Sequence, residues 1–282
     1  MGLAYCWRAL PALLMASVSL HLFAAEPSLV VPSYNQFSDE EEIKIGKAAS
    51  QEFESRYELV DNAVLGAYLS NLTNRLAERS RRPELKYSCK VLNTQEVGAL
   101  SFPGGYIYVT RGLLEFAQTE SELAWVISHE IGHLAGRHLL NRFALELRSR
   151  SLWESAKRTL PLLDNSSISR AFQSMGLPIV NVLASRYDAA NESEADLLAF
   201  YNLMRAGWNP AGELRVLDRS QQPPAGRAWF ANWLAEPPTP SDRSRLISAE
   251  LAGVTVPSGA ADDSLAFKSM KLGMDILPRP RH

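Results

Sequence analysis

The pattern of apolar positions predicts that most of this chain is helical. Residues 38–57 begin with a capping box at Ser38, and residues 61–79 carry one apolar stripe. The stripe consists of Val64, Leu65, Tyr68, Leu69, Leu72 and Leu76. Residues 86–92 alternate in polarity and the run 106–110 is aromatic and β-branched, which predicts two short strands. The expected fold is therefore α+β, mostly helical with a small sheet.

A further predicted helix, beginning after Thr119, carries the pattern His-Glu-x-x-His. Positions i and i+4 differ by about 40° around a helix, so His129 and His133 present both imidazoles from one face. Two zinc ligands need this geometry. Glu130, about 100° further round, has the position of a general base beside the attacking water. The alternative is an amphipathic helix that carries two histidines by chance, which is an uncommon coincidence in a chain with 5 histidines.

A second predicted helix, ending near Gly207, can supply the third ligand. Hydrolytic zinc sites have three protein ligands and one open position. Glu192 can complete the set, and Asp196, one turn later on the same face, can accept the free N–H of a ligating imidazole. Taken alone, these carboxylates could also form a solvated helix face. Together with the histidines they indicate one zinc ion per chain.

His138 raises the question of a competing zinc pattern. In metzincins a glycine three residues after the second histidine breaks the helix, and a third histidine then reaches the metal. Gly136 is in that place, but His138 comes one residue early. If the helix continues, His138 lies about 140° from His133 and points away from the metal. We therefore interpret His138 as structural.

The predicted strand 106–110 precedes the zinc-site helix and follows a Pro-Gly-Gly turn. An extended peptide could pair with an exposed edge of this strand and lie across the metal, and the two glycines would allow close backbone approach. The substrate-binding residues expected on this basis are Gly104, Gly105, Tyr106, Ile107 and Tyr108. An ordinary strand with a tight turn has the same pattern, so both interpretations stay open.

Composition, with 46% hydrophobic residues and a net charge of −2, describes an ordinary globular protein and gives no indication of nucleic-acid binding. The apolar run 9–25 ends in small residues, which indicates a signal peptide over residues 1–25 and export to the periplasm; an uncleaved anchor is the alternative. No cysteine stands at the end of the run, where a lipid anchor would be attached, and Cys89 would be alone in the mature chain. We therefore expect neither disulfides nor a lipid anchor, but a soluble or peripherally membrane-associated protein.

Three runs in this order, 102–114, 129–133 and 192–196, resemble the gluzincin peptidase family of the CAAX prenyl protease and HtpX, and above all its soluble periplasmic members. The resemblance covers about residues 38–251. It implies a zincin-like metallopeptidase domain in which zinc is bound by His129, His133 and Glu192. Glu130 is then the catalytic acid/base, and Asp196 supports a ligand. The implied substrates are polypeptides, including misfolded envelope or outer-membrane proteins.

The resemblance also assigns a role to Arg243, which matches an arginine that can stabilise the oxyanion of the tetrahedral intermediate. Three departures stand beside this match. Gly98 replaces an asparagine of the family, and Asp188-Ala189 replaces a Ser-Arg pair. The histidine that usually precedes the arginine is missing, and Glu236 could take the open position of the metal instead.

The remaining stretches of the chain give less information about fold and function. Residues 140–187 contain no apolar run near the roughly 18 residues that span a bilayer, and they form either a lid or a packed helical hairpin. Trp229, Phe230 and Trp233 fit a core better than a substrate surface. Residues 252–282 are polar and proline-containing, so we expect a loosely ordered tail. No internal repeat is visible.

Two functions follow from these observations. The first is an exported zinc endopeptidase that acts in envelope protein quality control. The second is a latent protease that acts mainly as a zinc-stabilised, chaperone-like binding module, with a lid or Glu236 blocking the metal. The intact Glu130 favours the enzyme, because a pure binding protein has no use for a base beside zinc.

Overall fold

The computed structural model describes residues 34–176, 179, 187–221 and 238–277. Within these ranges helices surround a three-stranded sheet, which confirms the expected α+β class. The elements are α1 (Asp39–Glu54), α2 (Ala63–Ala77), β1 (Ser88–Leu92), β2 (Ala99–Phe102), β3 (Tyr106–Thr110), α3 (Arg111–Phe116), α4 (Glu120–Ala135), α5 (His138–Ser149), α6 (Trp153–Thr159), α7 (Asn165–Ser174), α8 (Ala189–Ala206), α9 (Ala211–Ser220), α10 (Pro240–Gly253) and α11 (Leu265–Gly273). Short 3₁₀ turns follow α6 and α11.

Local capping explains where the predicted helices begin. The Ser38 hydroxyl accepts a hydrogen bond from the Glu41 backbone N–H, and the Glu41 carboxylate accepts one from the Ser38 N–H, so α1 begins with the predicted capping box. In α2 the predicted stripe is buried only in part. Val64 is 81% exposed, whereas Leu65 in the same first turn is buried, so Val64 lies outside the face of α2 that meets the core.

The sheet has the order β1-β3-β2, with β1 parallel and β2 antiparallel to β3. Strand β2 was not predicted; it forms a hairpin with β3 through Pro103-Gly104-Gly105. Both glycines have positive φ, and a Cβ at Gly105 would lie 2.3 Å from the carbonyl oxygen of Lys86. Because β3 is hydrogen-bonded on both sides, the prediction that Tyr106-Ile107-Tyr108 offers an exposed edge is wrong. The edge next to α4 is β2.

Helix α4 is the centre of the domain. All 16 of its residues are buried, since α2, the sheet, α8 and α9 surround it. Its N-cap is Thr119, whose hydroxyl accepts from the Glu122 N–H, as predicted. The Glu122 carboxylate does not complete the capping box; it accepts from the N–H of Gln118 instead.

Helices α4 and α8 pack in close contact at Gly132. A Cβ at this position would lie 2.9 Å from the carbonyl oxygen of Ala195, so only glycine fits without a shift. Helix α8 ends as predicted at Gly207, which has a left-handed φ of 86°. The close packing brings Glu192, one turn before Ala195, to the histidines of α4.

Residues between α4 and α8 form a second core with α1. The rings of Phe37 and Trp153 are 4.8 Å apart between centroids, and those of Phe143 and Phe172 are 4.9 Å apart. Residues 140–187 were expected to form either a lid or a packed helical hairpin. As far as α7, this segment consists of packed helices.

The prediction of a loosely ordered tail after residue 252 is wrong for α11 and the turn behind it. Phe267 and Met270 are buried in the main core. The Lys271 ammonium donates to the carbonyl oxygens of Leu114, Glu115 and Ala117 at 2.8 to 2.9 Å, which satisfies the C-terminal end of α3. Cys89 is the free cysteine of the described residues.

Three predictions fall on residues outside the described ranges: the signal peptide, the Trp229, Phe230 and Trp233 cluster, and Glu236. Among the helices that the structure does describe, none combines the length and the apolar character needed to cross a bilayer.

Candidate metal centre

Three predicted ligands converge at the C-terminal half of α4. The Nε2 atoms of His129 and His133 are 2.9 Å apart. The Glu192 carboxylate approaches both, with Oε2 at 3.4 Å from His129 Nε2 and Oε1 at 3.6 Å from His133 Nε2. These three residues form a group whose possible ligand atoms lie within 4.8 Å of one another. Helical spacing predicted the two histidines, and the family resemblance assigned Glu192 as the third ligand.

The donor set fits zinc. Bonds of about 2.0–2.1 Å at tetrahedral angles place ligand atoms about 3.3 Å apart, which the three distances bracket. The His129 Nδ1–H donates to Asp196, so Nε2, which faces the other ligands, is the nitrogen that can give up its proton and bind a cation. In addition, the buried Oε2 of Glu192 has no hydrogen-bond partner among the described residues. Two imidazole nitrogens and an unsatisfied carboxylate oxygen at one point are an arrangement that a cation stabilises.

Asp196 links a ligand to Arg243. Its Oδ1 lies 2.9 Å from His129 Nδ1, as predicted for the residue that fixes the tautomer of a ligand. Its two oxygens also accept from Nε and Nη2 of Arg243 at 2.7 and 2.6 Å. Burial opposes ionisation of Asp196, but Arg243 and His129 outweigh it and hold the pKa of this carboxyl below its usual value.

Arg243 is buried and faces the protein's own carboxylates. Besides the paired contact with Asp196, its Nη1 lies 3.5 Å from Glu192 Oε2. The guanidinium therefore pairs with one predicted ligand, Glu192, and with Asp196, which contacts another. Its assignment as an oxyanion stabiliser stays a prediction.

The charges around the ligands separate the pKa values of the two histidines. Burial disfavours the charged form of His129, but the neighbouring carboxylates of Asp196 and Glu192 raise its pKa to about 9. Burial and the neighbouring positive groups, His129 first among them, lower the pKa of His133 well below its usual value. His133 therefore stays neutral and can present a lone pair.

Glu130 lies one residue after the first ligand and is 1% exposed. Its Oε2 accepts a hydrogen bond of 2.7 Å from the hydroxyl of Ser101 on β2. Ser101 pairs in register with Ile107 of β3. No sequence pattern indicated Ser101, because the strand that carries it was not predicted; the residues before a Pro-Gly-Gly turn were the available signal.

The contacts described for three of the predicted substrate residues are with α1 or with the core. The Tyr108 hydroxyl donates to Glu54 at 2.6 Å, and the Gly104 N–H faces Glu42 at 3.4 Å. Both partners are on α1. Ile107 is buried in the main core. These positions hold the hairpin in place, and their binding of substrate stays a prediction.

Tyr187 is a site residue that no sequence pattern indicated. Its ring stacks on the imidazole of His133 with 3.5 Å between centroids and 8° between planes. Burial and the carboxylates of Glu130 and Glu192 raise the pKa of Tyr187 well above its usual value, while a hydrogen bond with Ser101 opposes this. The phenol therefore lies between a ligand, the predicted base and β2.

His138 does not point away from the metal ligands. Its Nδ1 lies 2.8 Å from Nδ1 of His133, and its Nε2 lies 3.3 Å from Glu194 Oε2. The expectation assumed a continuous helix, whereas α4 ends at Ala135 and Arg137 takes a left-handed conformation with φ of 53°. This bend turns the imidazole back toward His133.

A helix-borne His-Glu-x-x-His with a glutamate from a second helix defines the zincin class of metal sites. The family model of peptidase family M48 matches residues 65–251, a range that contains all three ligands and Glu130. The chain belongs to peptidase family M48.

Several relatives are named for protease activity. A protein of Vibrio cholerae serotype O1, whose name includes beta-barrel assembly-enhancing protease, is 29% identical over 181 residues, or 60% of this chain and 36% of the relative. The beta-barrel assembly-enhancing protease of Escherichia coli K12 is 24% identical over 196 residues, 68% of this chain and 40% of that protein. Metalloprotease LoiP of Escherichia coli K12 is 27% identical over 176 residues, 62% of this chain and 67% of LoiP. The matched region thus covers no more than about two fifths of the length of either of the first two relatives.

Proposed function

We propose that this protein is an exported zinc-dependent endopeptidase that cleaves unfolded polypeptides. The observation that carries the proposal is the convergence of His129, His133 and Glu192 with Glu130 on the intervening turn of the same helix. When bound, zinc would lower the pKa of a water molecule and polarise the scissile carbonyl. Such a site hydrolyses a peptide bond without a covalent enzyme intermediate.

In this mechanism Glu130 moves the proton. Its carboxylate takes a proton from the attacking water and passes it to the leaving amine. The Ser101 hydroxyl, 2.7 Å from Oε2, fixes the orientation of this carboxylate. His129 and Glu192 are held in turn by Asp196 and Arg243.

Strand β2 supports polypeptides as the substrate class. Among the described residues it pairs with β3 on one side only, and it carries the Ser101 that contacts Glu130. An extended peptide that adds to this edge would satisfy its backbone groups while its scissile bond lies near the base. A folded protein cannot offer such a segment without local unfolding.

In this proposal the protein acts in the cell envelope. The apolar run at residues 9–25 supports export, and two relatives carry beta-barrel assembly in their names. Quality control of misfolded envelope or outer-membrane proteins fits a protease for unfolded chains. Cleavage of the apolar run would give a soluble form of the protein. Retention of the run as an anchor would give a membrane-attached form.

A cleavage assay on the full chain tests the substrate class. The zinc-loaded protein, the same protein stripped by a chelator, and the stripped protein with zinc restored are incubated with one model protein in reduced, unfolded form and in native form. We expect cleavage of the unfolded form alone, lost on stripping and regained with zinc. Equal cleavage of native and unfolded forms would contradict the proposed preference.

A second candidate function is a latent protease that mainly binds unfolded chains. The observation that favours it is the burial of the site: Glu130 is 1% and His133 2% exposed, with Tyr187 stacked on His133. In this state the Tyr187 ring covers His133, and it would have to move before substrate could reach that side of the site. Substitution of Tyr187, described in the Discussion, separates the two functions.

A further inference from the structure

The bend between α4 and α5 has a specific local cause. Gly136 ends α4, and a Cβ on it would lie 2.2 Å from Nε2 of His138. Arg137 then takes φ of 53°, a conformation that a residue with a side chain seldom adopts. Its guanidinium is held there by the buried Glu42, 2.9 Å from its Nε, and by the carbonyl oxygen of Phe37 at 2.9 Å. The structure thus maintains a strained turn that places one imidazole.

The imidazole so placed contacts a predicted metal ligand. His138 is 2% exposed, and its Nδ1 lies 2.8 Å from Nδ1 of His133. Its second nitrogen lies 3.3 Å from the carboxylate of Glu194, whose side chain is 29% exposed. Both rings are shielded from water, so each Nδ1 depends on the other for a partner.

Only one placement of protons uses all of these atoms. His133 must keep Nε2 as a lone pair to bind a metal, so its Nδ1 carries the hydrogen and donates to His138 Nδ1. His138 then accepts at Nδ1 and carries its own hydrogen on Nε2, which donates to Glu194. The order is carboxylate, imidazole, ligand imidazole.

We propose that His138 and Glu194 are positioning residues for the metal ligand His133. This relay of hydrogen bonds, from Glu194 through His138 to His133, fixes the tautomer and ring plane of His133 and increases its basicity. A carboxylate does the same directly for many metal-bound histidines. Asp196 serves His129 in the direct form, whereas His133 is served through one intervening imidazole. The inference rests on the proposed metal centre and concerns how tightly it binds zinc.

Three substitutions separate the hydrogen bond from the space that the ring fills. In His138→Asn the amide oxygen can replace Nδ1 as acceptor, whereas His138→Leu fills the volume and removes the acceptor. Glu194→Gln keeps an acceptor for His138 but removes the charge. The affinity for zinc is measured on the full chain by competition with a chelator of known affinity, and the unfolding temperature of each zinc-free variant is measured beside it.

We expect His138→Leu to weaken zinc binding about 10- to 100-fold. The zinc affinity of His138→Asn should recover most of this loss. The zinc affinity of Glu194→Gln should lie between that of His138→Asn and that of the unchanged protein. Unfolding temperatures of the zinc-free His138→Leu and His138→Asn variants should not follow the same order as their affinities, since the relay acts on the ligand and not on folding.

Two results would overturn the relay while leaving the metal centre intact: zinc affinity unchanged in His138→Leu, or an equal loss in His138→Asn and His138→Leu. Failure of the proposed function looks different. If the unchanged protein binds no zinc at all, the metal centre is wrong and the relay is overturned with it.

Discussion

Gly132 of α4 touches the backbone of Ala195 on α8, with 2.9 Å between the position of a Cβ on the glycine and the Ala195 carbonyl oxygen. This contact brings the two halves of the metal site together. The histidines come from α4 and the glutamate from α8, and Glu192 comes 59 positions after His133 in the sequence. The glycine inside the His-Glu-x-x-His pattern is therefore part of the site's construction.

Replacing Gly132 with alanine should push the two helices apart. We expect a cost of about 1–3 kcal/mol in the free energy of unfolding and a weaker affinity for zinc, because the added methyl group meets backbone that cannot move freely. Gly66→Ala on α2 is the matched control: no atom lies within 4 Å of its Cβ position, and helix propensity predicts a gain of about 0.5–1 kcal/mol. Urea unfolding of both variants measures these changes in the free energy of unfolding. A gain in both would show that the helices are not in close contact.

Replacing Arg243 with leucine should leave the buried charge of Asp196 without the guanidinium that accounts for two of its contacts, with His129 as its remaining described partner. Loss of one partner of a buried pair costs about 3–5 kcal/mol. Arg245→Leu is the control two residues later: its side chain is 76% exposed and its pair with Asp242 lies on the surface, so we expect a cost of about 0–1 kcal/mol. Unfolding of the zinc-free proteins provides the comparison. Similar costs for the two arginines would contradict the role assigned to Arg243.

Glu213 makes stability depend on pH. It is completely buried on α9, and burial together with the charge of Asp196 raises its pKa well above the usual glutamate value of 4.5, against the opposing effect of Arg243. Between that value and its raised pKa the folded state keeps a proton that the unfolded chain has lost. The free energy of unfolding therefore falls as pH rises above about 4.5, by up to about 1.4 kcal/mol per pH unit for this group.

Glu213→Gln cannot ionise and should remove this dependence. We expect the variant to be more stable than the parent at neutral pH, with the difference vanishing toward pH values near 4.5. Urea unfolding in the presence of a chelator, from about pH 5 to about pH 8, measures it without zinc binding. Glu40→Gln, with a side chain 80% exposed, is the control. Parallel stability curves for parent and Glu213→Gln would refute the claim that Glu213 stays protonated.

Tyr187 should control access to the site. Tyr187→Ala removes the ring that covers His133, so zinc should leave faster in the presence of a chelator and unfolded protein should be cleaved several times faster if the site is latent. Tyr187→Phe keeps the stacked ring and loses only the hydroxyl, and it should behave like the parent in zinc release. Slower cleavage in both variants would mean that the phenol helps to bind substrate instead of blocking it.

Local signals in the sequence predicted the parts of the site that depend on a single helix. Spacing within α4 placed His129 and His133 on one face, and the spacing of Glu192 and Asp196 on α8 indicated a ligand and its neighbour. These predictions needed only the helical repeat. The capping residues of α1 and α4 were predicted correctly for the same reason, since a cap involves residues three positions apart.

Features that depend on the meeting of distant segments were missed. The position of His138 follows from the left-handed Arg137, which Glu42 and Phe37 stabilise from elsewhere in the chain. Strand β2 is four residues long and became visible only through its pairing with β3. Likewise α11 was missed because residues 252–282 were judged as one polar, proline-containing stretch, although its buried Phe267 and Met270 have helical spacing. Burial of Glu213 contradicts the usual preference of glutamate for the surface.

The most direct test of the account compares the parent protein with Glu130→Gln. Both proteins are purified as the full chain, their zinc content is measured, and each is incubated with the same unfolded substrate. We predict one zinc per chain in both, with cleavage reduced about 10²- to 10⁴-fold in Glu130→Gln, because the ligands are intact and the base is lost. Cleavage by Glu130→Gln at the parent's rate, with zinc bound in both, would contradict the assignment of Glu130 as the catalytic base.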